Sequence, residues 1–393
     1  MQTSPQDTMA SGEKEPGLRY YLSREPLILA LLSAVALVSF LAVSGLSRIY
    51  HKQQESLGNR WFTRGVEDLQ QRRFERAVNE FRTALLYSRD NYSYQLELAE
   101  ALIGLKRTNE AYAYLINLWE RQPENGLVNL ELARIAVQRG ETEHALRYYH
   151  NAIYAIWPGD QEVERRNARA ELIEYLLSIN AKTQAQAELI ALAENLGDDP
   201  YQHARIGDLF VQAQDYEHAL AEYRLSLKFD RHNPAALAGA GRAGFELGRY
   251  DLAQRYLEAA VAANPNDAQS AALLKNTELV LKVDPFRRQI SVAQRHRIVI
   301  QAFAAAGDRL KSCSALGSSR GTASSTTSLQ SLADEWAKLK PEITEQGLRQ
   351  NPDSVEAAMN LVFDIERQTN AACGPPTGID MALLLISRLH EGN

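Results

Sequence analysis

Ala77, Ala111 and Ala145 stand 34 residues apart, and so do Ala185, Ala219 and Ala253. A fixed period of that length rules out a single globule. Each unit is too small to bury its own apolar face, so it must stack on its neighbours and extend the chain into an array. Aligned on the alanines, the sequence divides into six helix–turn–helix units: Gly58–Asn91, Tyr92–Asn125, Gly126–Gly159, Arg166–Asp199, Pro200–Asn233 and Pro234–Asp267. A six-residue insertion separates the third from the fourth and predicts a longer loop around Trp157–Asp160.

Within the units, a small residue (Gly65, Ala99, Ala133, Gly207, Gly241) lets the first helix, A, approach the second, B. The repeated alanine opens helix B, and an aromatic or leucine one turn later fills the space between helices. Gly140 and Gly248 supply left-handed turn residues, and Pro123 and Pro265 end helix B. The first unit reads Trp61, Gly65, Phe74, Ala77, Phe81, Ala84, and the sixth reads Ala240, Gly241, Tyr250, Ala253, Leu257, Ala260, Pro265. This pattern resembles the tetratricopeptide repeat over residues 58–267, with Asp68 and Gly244 standing where that family usually has tyrosine. The resemblance implies an all-α solenoid of about six units. Ala268–Val283 continues as an amphipathic capping helix that Asp284-Pro285 ends, placing the solenoid and cap at 58–285.

The resemblance also implies a partner-binding groove lined by set positions of each helix A. Carried over residue by residue, these are Phe62, Val66, Leu96, Glu100, Leu130, Arg134, Glu174, Asp208, Arg242 and Phe245, with Ala170, Ala204 and Ala238 between them. The Lys and Asn with which chaperone-binding members clamp a peptide carboxylate are absent, which disfavours that mode. The expected ligand is an extended or helical segment of a protein partner, held by apolar side chains and oriented by the charges. The alternative is that these charges only solvate an open surface or pair with one another.

Pro26–Ser47 is a 22-residue run without a charge. As a helix it rises roughly 33 Å, enough for the hydrocarbon core of a bilayer. Arg24 and Arg48 bound it, and Tyr20, Tyr21 and Tyr50 suit the interfaces. It reads as a transmembrane helix at 26–47, after a polar, disordered tail at 1–25 and before a linker at 48–57. A cleaved signal peptide, with Ala42-Val43-Ser44 as the site, is the alternative. Lysines and arginines flank both sides in similar number, so charge decides little about orientation. The preferred reading puts the repeats outside the cytoplasm, at a bacterial inner membrane and facing the periplasm. The bacterial assignment rests only on an Ala-, Arg- and Gln-rich style.

Residues 286–393 lose the period but keep a helical pattern, and form a C-terminal helical domain with helices expected at Phe286–Leu316, Leu329–Leu339, Glu342–Gln350, Ser354–Ala372 and Ile379–His390. The Gly- and Ser-rich stretch 317–328 reads as a flexible linker. Cys313 and Cys373, the only thiols, are a disulfide candidate in an oxidising compartment and two separate buried thiols otherwise. The basic stretch Arg287–Arg297 could meet anionic lipid or an acidic partner, but a solvated helix face accounts for it more simply.

A net charge of −6 argues against nucleic acid as a partner. Two cysteines exclude a Cys₄ zinc site or an iron–sulfur cluster. Gly239–Gly244 matches GxGxxG, but it falls inside a helix rather than at a strand-to-helix turn, so no dinucleotide site is read there. No catalytic, metal or cofactor residues are assigned. The expectation is a non-enzymatic, membrane-anchored scaffold for envelope assembly, secretion or export. A self-assembling homo-oligomer and a cytosol-facing regulator are the alternatives.

Overall fold

The protein is described by a computed structural model over residues 18–157, 159, 161–194, 196–317 and 323–390. Residues 1–17 of the expected tail and 318–322 of the expected linker lie outside these. The chain is 82% helical, with no strand among the described residues. It divides into two compact bodies, 1–168 and 169–393, parted within a helix at Gln161–Ser178.

In the first body, helix α1 runs uninterrupted from Leu18 to Gln70. Where a linker was expected over 48–57, the helix simply continues, because no residue there breaks it. From Ile28 it is apolar enough to cross a membrane, with a mean hydropathy of 2.4 over 18 residues and none of that window buried. Its C-terminal part serves as helix A of the first repeat. The pairs then follow in order: α2 (Phe74–Tyr87), α3 (Tyr92–Gly104), α4 (Thr108–Arg121), α5 (Gly126–Arg139) and α6 (Thr142–Tyr154).

The second body holds the rest of α7 (Gln161–Ser178) with α8 (Lys182–Ala193), α9 (Pro200–Gln212), α10 (Tyr216–Phe229), α11 (Pro234–Glu246) and α12 (Tyr250–Ala263). Helix α13 (Ala268–Val283) caps the sixth repeat. It is followed by α14 (Val292–Gly317), α15 (Ala323–Leu339), α16 (Glu345–Gln350), α17 (Asp353–Cys373) and α18 (Gly378–His390).

The 34-residue period reappears in the backbone. All six register alanines are 0% exposed. At every A–B turn one residue takes the left-handed conformation: Arg72, Lys106, Gly140, Asn180, Gln214 and Gly248, with φ between 57° and 71°. The next amide reaches back to a carbonyl of the preceding turn, as in Arg107 N to Leu102 O at 2.9 Å and Arg249 N to Gly244 O at 2.8 Å. These bonds satisfy carbonyls that the end of helix A would otherwise orphan. Helix A starts are equally regular. Asn91, Asn125, Asp199, Asn233 and Asp267 each accept a backbone N–H from the first turn.

The small residues of helix A admit the helix B side chain 16 positions later. A Cβ added at Gly65 would meet the Phe81 ring at 2.5 Å, at Gly207 the Tyr223 ring at 2.7 Å, and at Gly241 Leu257 at 2.6 Å. The glycines of the GxGxxG match are thus contact glycines. Gly239 faces Tyr223, and Gly244 faces the backbone of Ala253. Most of the six-residue insertion is not loop, because Gln161–Arg165 extend the start of the helix Gln161–Ser178. Just before it, Ile156 exchanges backbone bonds with Glu124 and Gly126, and the buried Trp157 donates to Ala152 O at 2.8 Å. Pro158 and Asp160 lie outside the described residues.

One core joins α12 and α13 to the C-terminal helices. Val280, Leu281 and Val283 are buried with Val299, Phe303, Val362 and Leu383. The far side of the cap is therefore covered by protein. Helix α14 begins at Val292 rather than at Phe286, since Ser291 accepts the Gln294 amide and marks its start. Helix α15 begins at Ala323, within the expected linker.

Cys313 on α14 and Cys373 on α17 are joined in a disulfide, with Cα atoms 5.8 Å apart. One turn before Cys313, Arg309 donates to Gly374 O at 2.7 Å and Thr369 Oγ1 at 3.2 Å. It also lies 3.6 Å from the fully buried carboxylate of Glu366. Burial, reinforced by Asp380, pushes that carboxyl up to about 8 despite the opposing guanidinium.

Candidate partner-binding face

In the first body, the A helices α1, α3 and α5 carry Phe62, Val66, Leu96, Glu100, Leu130 and Arg134. The structure divides this set. Leu130 is only 4% exposed and fills the interior, so it is withdrawn as a contact residue. Phe62 stacks on Tyr94 with centroids 4.9 Å apart and tilts onto Phe81 at 5.8 Å, joining the first two repeats. Val66 and Leu96 are half-buried, and Glu100 is exposed.

Glu100 and Arg134 lie close enough to interact across α3 and α5, although neighbouring atoms strip water from the Glu100 carboxyl and raise its pKa. Two acids missed from sequence complete the patch. Glu97, one turn before Glu100, is half-buried, and burial with the Glu100 charge pushes it up to about 6. Glu131, one turn before Arg134, is ion-paired with it. The spacing of three residues on a helix puts each of these pairs on one face and was the available signal. The four named side chains are three carboxyls and one guanidinium.

In the second body, Glu174 is exposed and pairs with Arg205 at 3.6 Å. Asp208 is exposed and accepts the Tyr223 hydroxyl at 2.6 Å. Arg242 is half-buried and acts electrostatically on Asp267, Tyr216 and Tyr223. Phe245 turns instead toward the C-terminal core and meets Tyr250 edge-on at 5.5 Å, so it too leaves the contact set. Among the described residues, no group of three or more His, Cys, Asp or Glu is placed to hold a metal ion.

Two segments match models of the tetratricopeptide repeat, residues 62–115 and 210–276. No curated protein matches the chain significantly. Solved structures are similar at low identity. YrrB, described as a TPR protein with an unusual peptide-binding site, is 15% identical, covers 50% of this chain and 97% of its own, and has a TM-score of 0.40. PilF of Pseudomonas aeruginosa is 16% identical over 57% and 99%, with a TM-score of 0.39. The C-terminal part of a repeat protein from Cytophaga hutchinsonii is 13% identical over 60% and 93%, with a TM-score of 0.44.

Proposed function

We propose that this chain, which carries tetratricopeptide repeats behind a helix long and apolar enough to cross a membrane, is an anchored scaffold that holds other proteins on the A-helix face of its repeats. The observation that carries the reading is the patch of Glu97, Glu100, Glu131 and Arg134. Glu97 is half-buried beside the exposed Glu100, and Glu131 holds Arg134, so these charges are positioned to orient an incoming segment. The proposed contact residues are Val66, Leu96, Glu97, Glu100, Glu131 and Arg134 in the first body, and Glu174, Asp208 and Arg242 in the second. The acidic excess of the first set favours a segment bearing lysine or arginine beside apolar anchors. The work is non-catalytic: bringing envelope proteins together for assembly, secretion or export, with the repeats outside the cytoplasm of a bacterial inner membrane.

A photo-crosslinking residue placed in the full chain at Glu100 or Asp208, compared with one at the exposed helix-B residue Leu86, tests the face in cells. Discrete adducts are expected from the first two positions, and those at Glu100 should weaken when Glu97 and Glu131 are both replaced by Lys. Equal adducts from all three positions, untouched by that reversal, would sink the proposal. Light scattering of the detergent-solubilised chain separates the self-assembling alternative, which requires a stable dimer or larger species.

A further inference from the structure

The apolar span and the first repeat share one helix. Residues 48–57, RIYHKQQESL, contain neither glycine nor proline, and α1 passes through them without a break. Sharp kinks in helices need such a residue or an inserted group. The helix then docks at once. A Cβ at the buried Gly58 would meet Tyr94 Oη at 3.2 Å and Tyr87 Cβ at 3.3 Å. Asn59 Oδ1 accepts the Tyr94 hydroxyl at 2.6 Å, Phe62 stacks on the same ring, and Gly65 receives Phe81. The connection between span and repeat is thus a stiff rod of roughly 15 Å, clamped where it meets the second repeat. Counted from Ser47, Phe62 and Val66 lie roughly 22 and 28 Å along the helix axis. A headgroup layer of about 5–8 Å leaves them roughly 14–23 Å clear of the lipid.

We propose that α1 is a rigid stalk, holding the A-helix face of the first repeats at a fixed height and rotation above the bilayer, and that the segment docking there is the juxtamembrane stretch of another membrane protein. The partner class rests on the binding face proposed above; the stalk does not. An extended chain covers about 3.3 Å per residue, so a segment within about eight residues of its own span reaches this height. A partner confined to the same membrane meets a face at a set level at a high effective concentration. A flexible tether would leave both level and orientation undefined.

The test uses the full chain in lipid vesicles, with Glu100→Cys carrying a donor fluorophore and acceptor dyes on the lipid headgroups. A seven-residue helical insertion after Gln54 adds about 10 Å of length and turns the face by only about 20°. The stalk predicts a height increase of that size, and a broad distance distribution when the insertion is Gly-Ser instead. An unchanged height with the helical insertion overturns the stalk. In cells, crosslinks from position 100 should trap proteins that resist alkaline extraction. Adducts found only with alkali-extractable proteins overturn the partner class. The predicted height increase with no adduct at all contradicts the binding face, and the partner class with it, while the stalk stands.

Discussion

Gly239→Ala is predicted to destabilise the second body only while Tyr223 is present. Tyr223 is 1% exposed, and its ring lies between two glycines. A Cβ at Gly239 would stand 2.2 Å from Cζ and 2.4 Å from Cε1, and on the Gly207 side the corresponding gap is already 2.7 Å. The ring cannot retreat, and its hydroxyl is tied to Asp208 at 2.6 Å. In an open helix interior, Gly→Ala gains about 1 kcal/mol. Forcing a methyl into a filled space costs about 1–3 kcal/mol. The net effect is therefore a loss of up to about 2 kcal/mol. In a Tyr223→Leu background the ring is gone and the helix-propensity gain returns, so the two substitutions should couple by about 1–3 kcal/mol. Urea unfolding of the four detergent-solubilised chains, followed by far-UV circular dichroism, measures the cycle. If Gly239→Ala has the same effect in both backgrounds, the ring-between-glycines account is wrong.

Three further outcomes are expected. Reducing the Cys313–Cys373 bond, which closes a separation of 60 residues, should lower the stability of the second body by about 4 kcal/mol in the chain-entropy account, read as an earlier urea midpoint there with the first body unmoved. Glu366 binds its proton more tightly folded than unfolded, so its contribution is fully present below the ordinary value of 4.5 and is lost as pH rises toward about 8. The second body should weaken across that window, and Glu366→Gln should flatten the slope; a slope unchanged by that substitution would refute the assignment. At the turns, Gly140→Ala should cost about 1 kcal/mol or more, whereas Lys106→Gly should be neutral or stabilising by under about 1 kcal/mol; equal effects on the thermal midpoint would contradict the shared left-handed geometry.

The periodic parts of the molecule are legible because they repeat a physical need. A buried alanine recurs in every unit, and in five of the six a small contact residue is followed 16 positions later by an aromatic or leucine, because one helix pair must stack on the next. The left-handed turns are only half visible. Gly140 and Gly248 announce themselves, while Arg72, Lys106, Asn180 and Gln214 adopt the same conformation with no composition to mark it, and only the period points to them. The Asn and Asp residues that close five of the six units are the N-caps of the helix that follows, a signal present but easily read as mere loop.

The stalk is hidden by its own polarity: Arg48–Leu57 looks like a linker, and what matters is the breakers it lacks. Site direction is harder. Leu130 and Phe245 occupy lining positions by family register, yet local packing turns them inward, and no spacing rule reports that. Glu97 and Glu131 join the patch through helical neighbours that the register omits.

An anchored scaffold working outside the cytoplasm is reported most directly by its thiols. Bulky maleimide is applied to Cys313 and Cys373 in intact cells and in denatured lysate, with and without reductant. Labelling only after denaturation and reduction is the predicted result, a disulfide in an oxidising compartment. Labelling without reductant once cells are lysed, but not while intact, would contradict it and place the repeats in the cytoplasm.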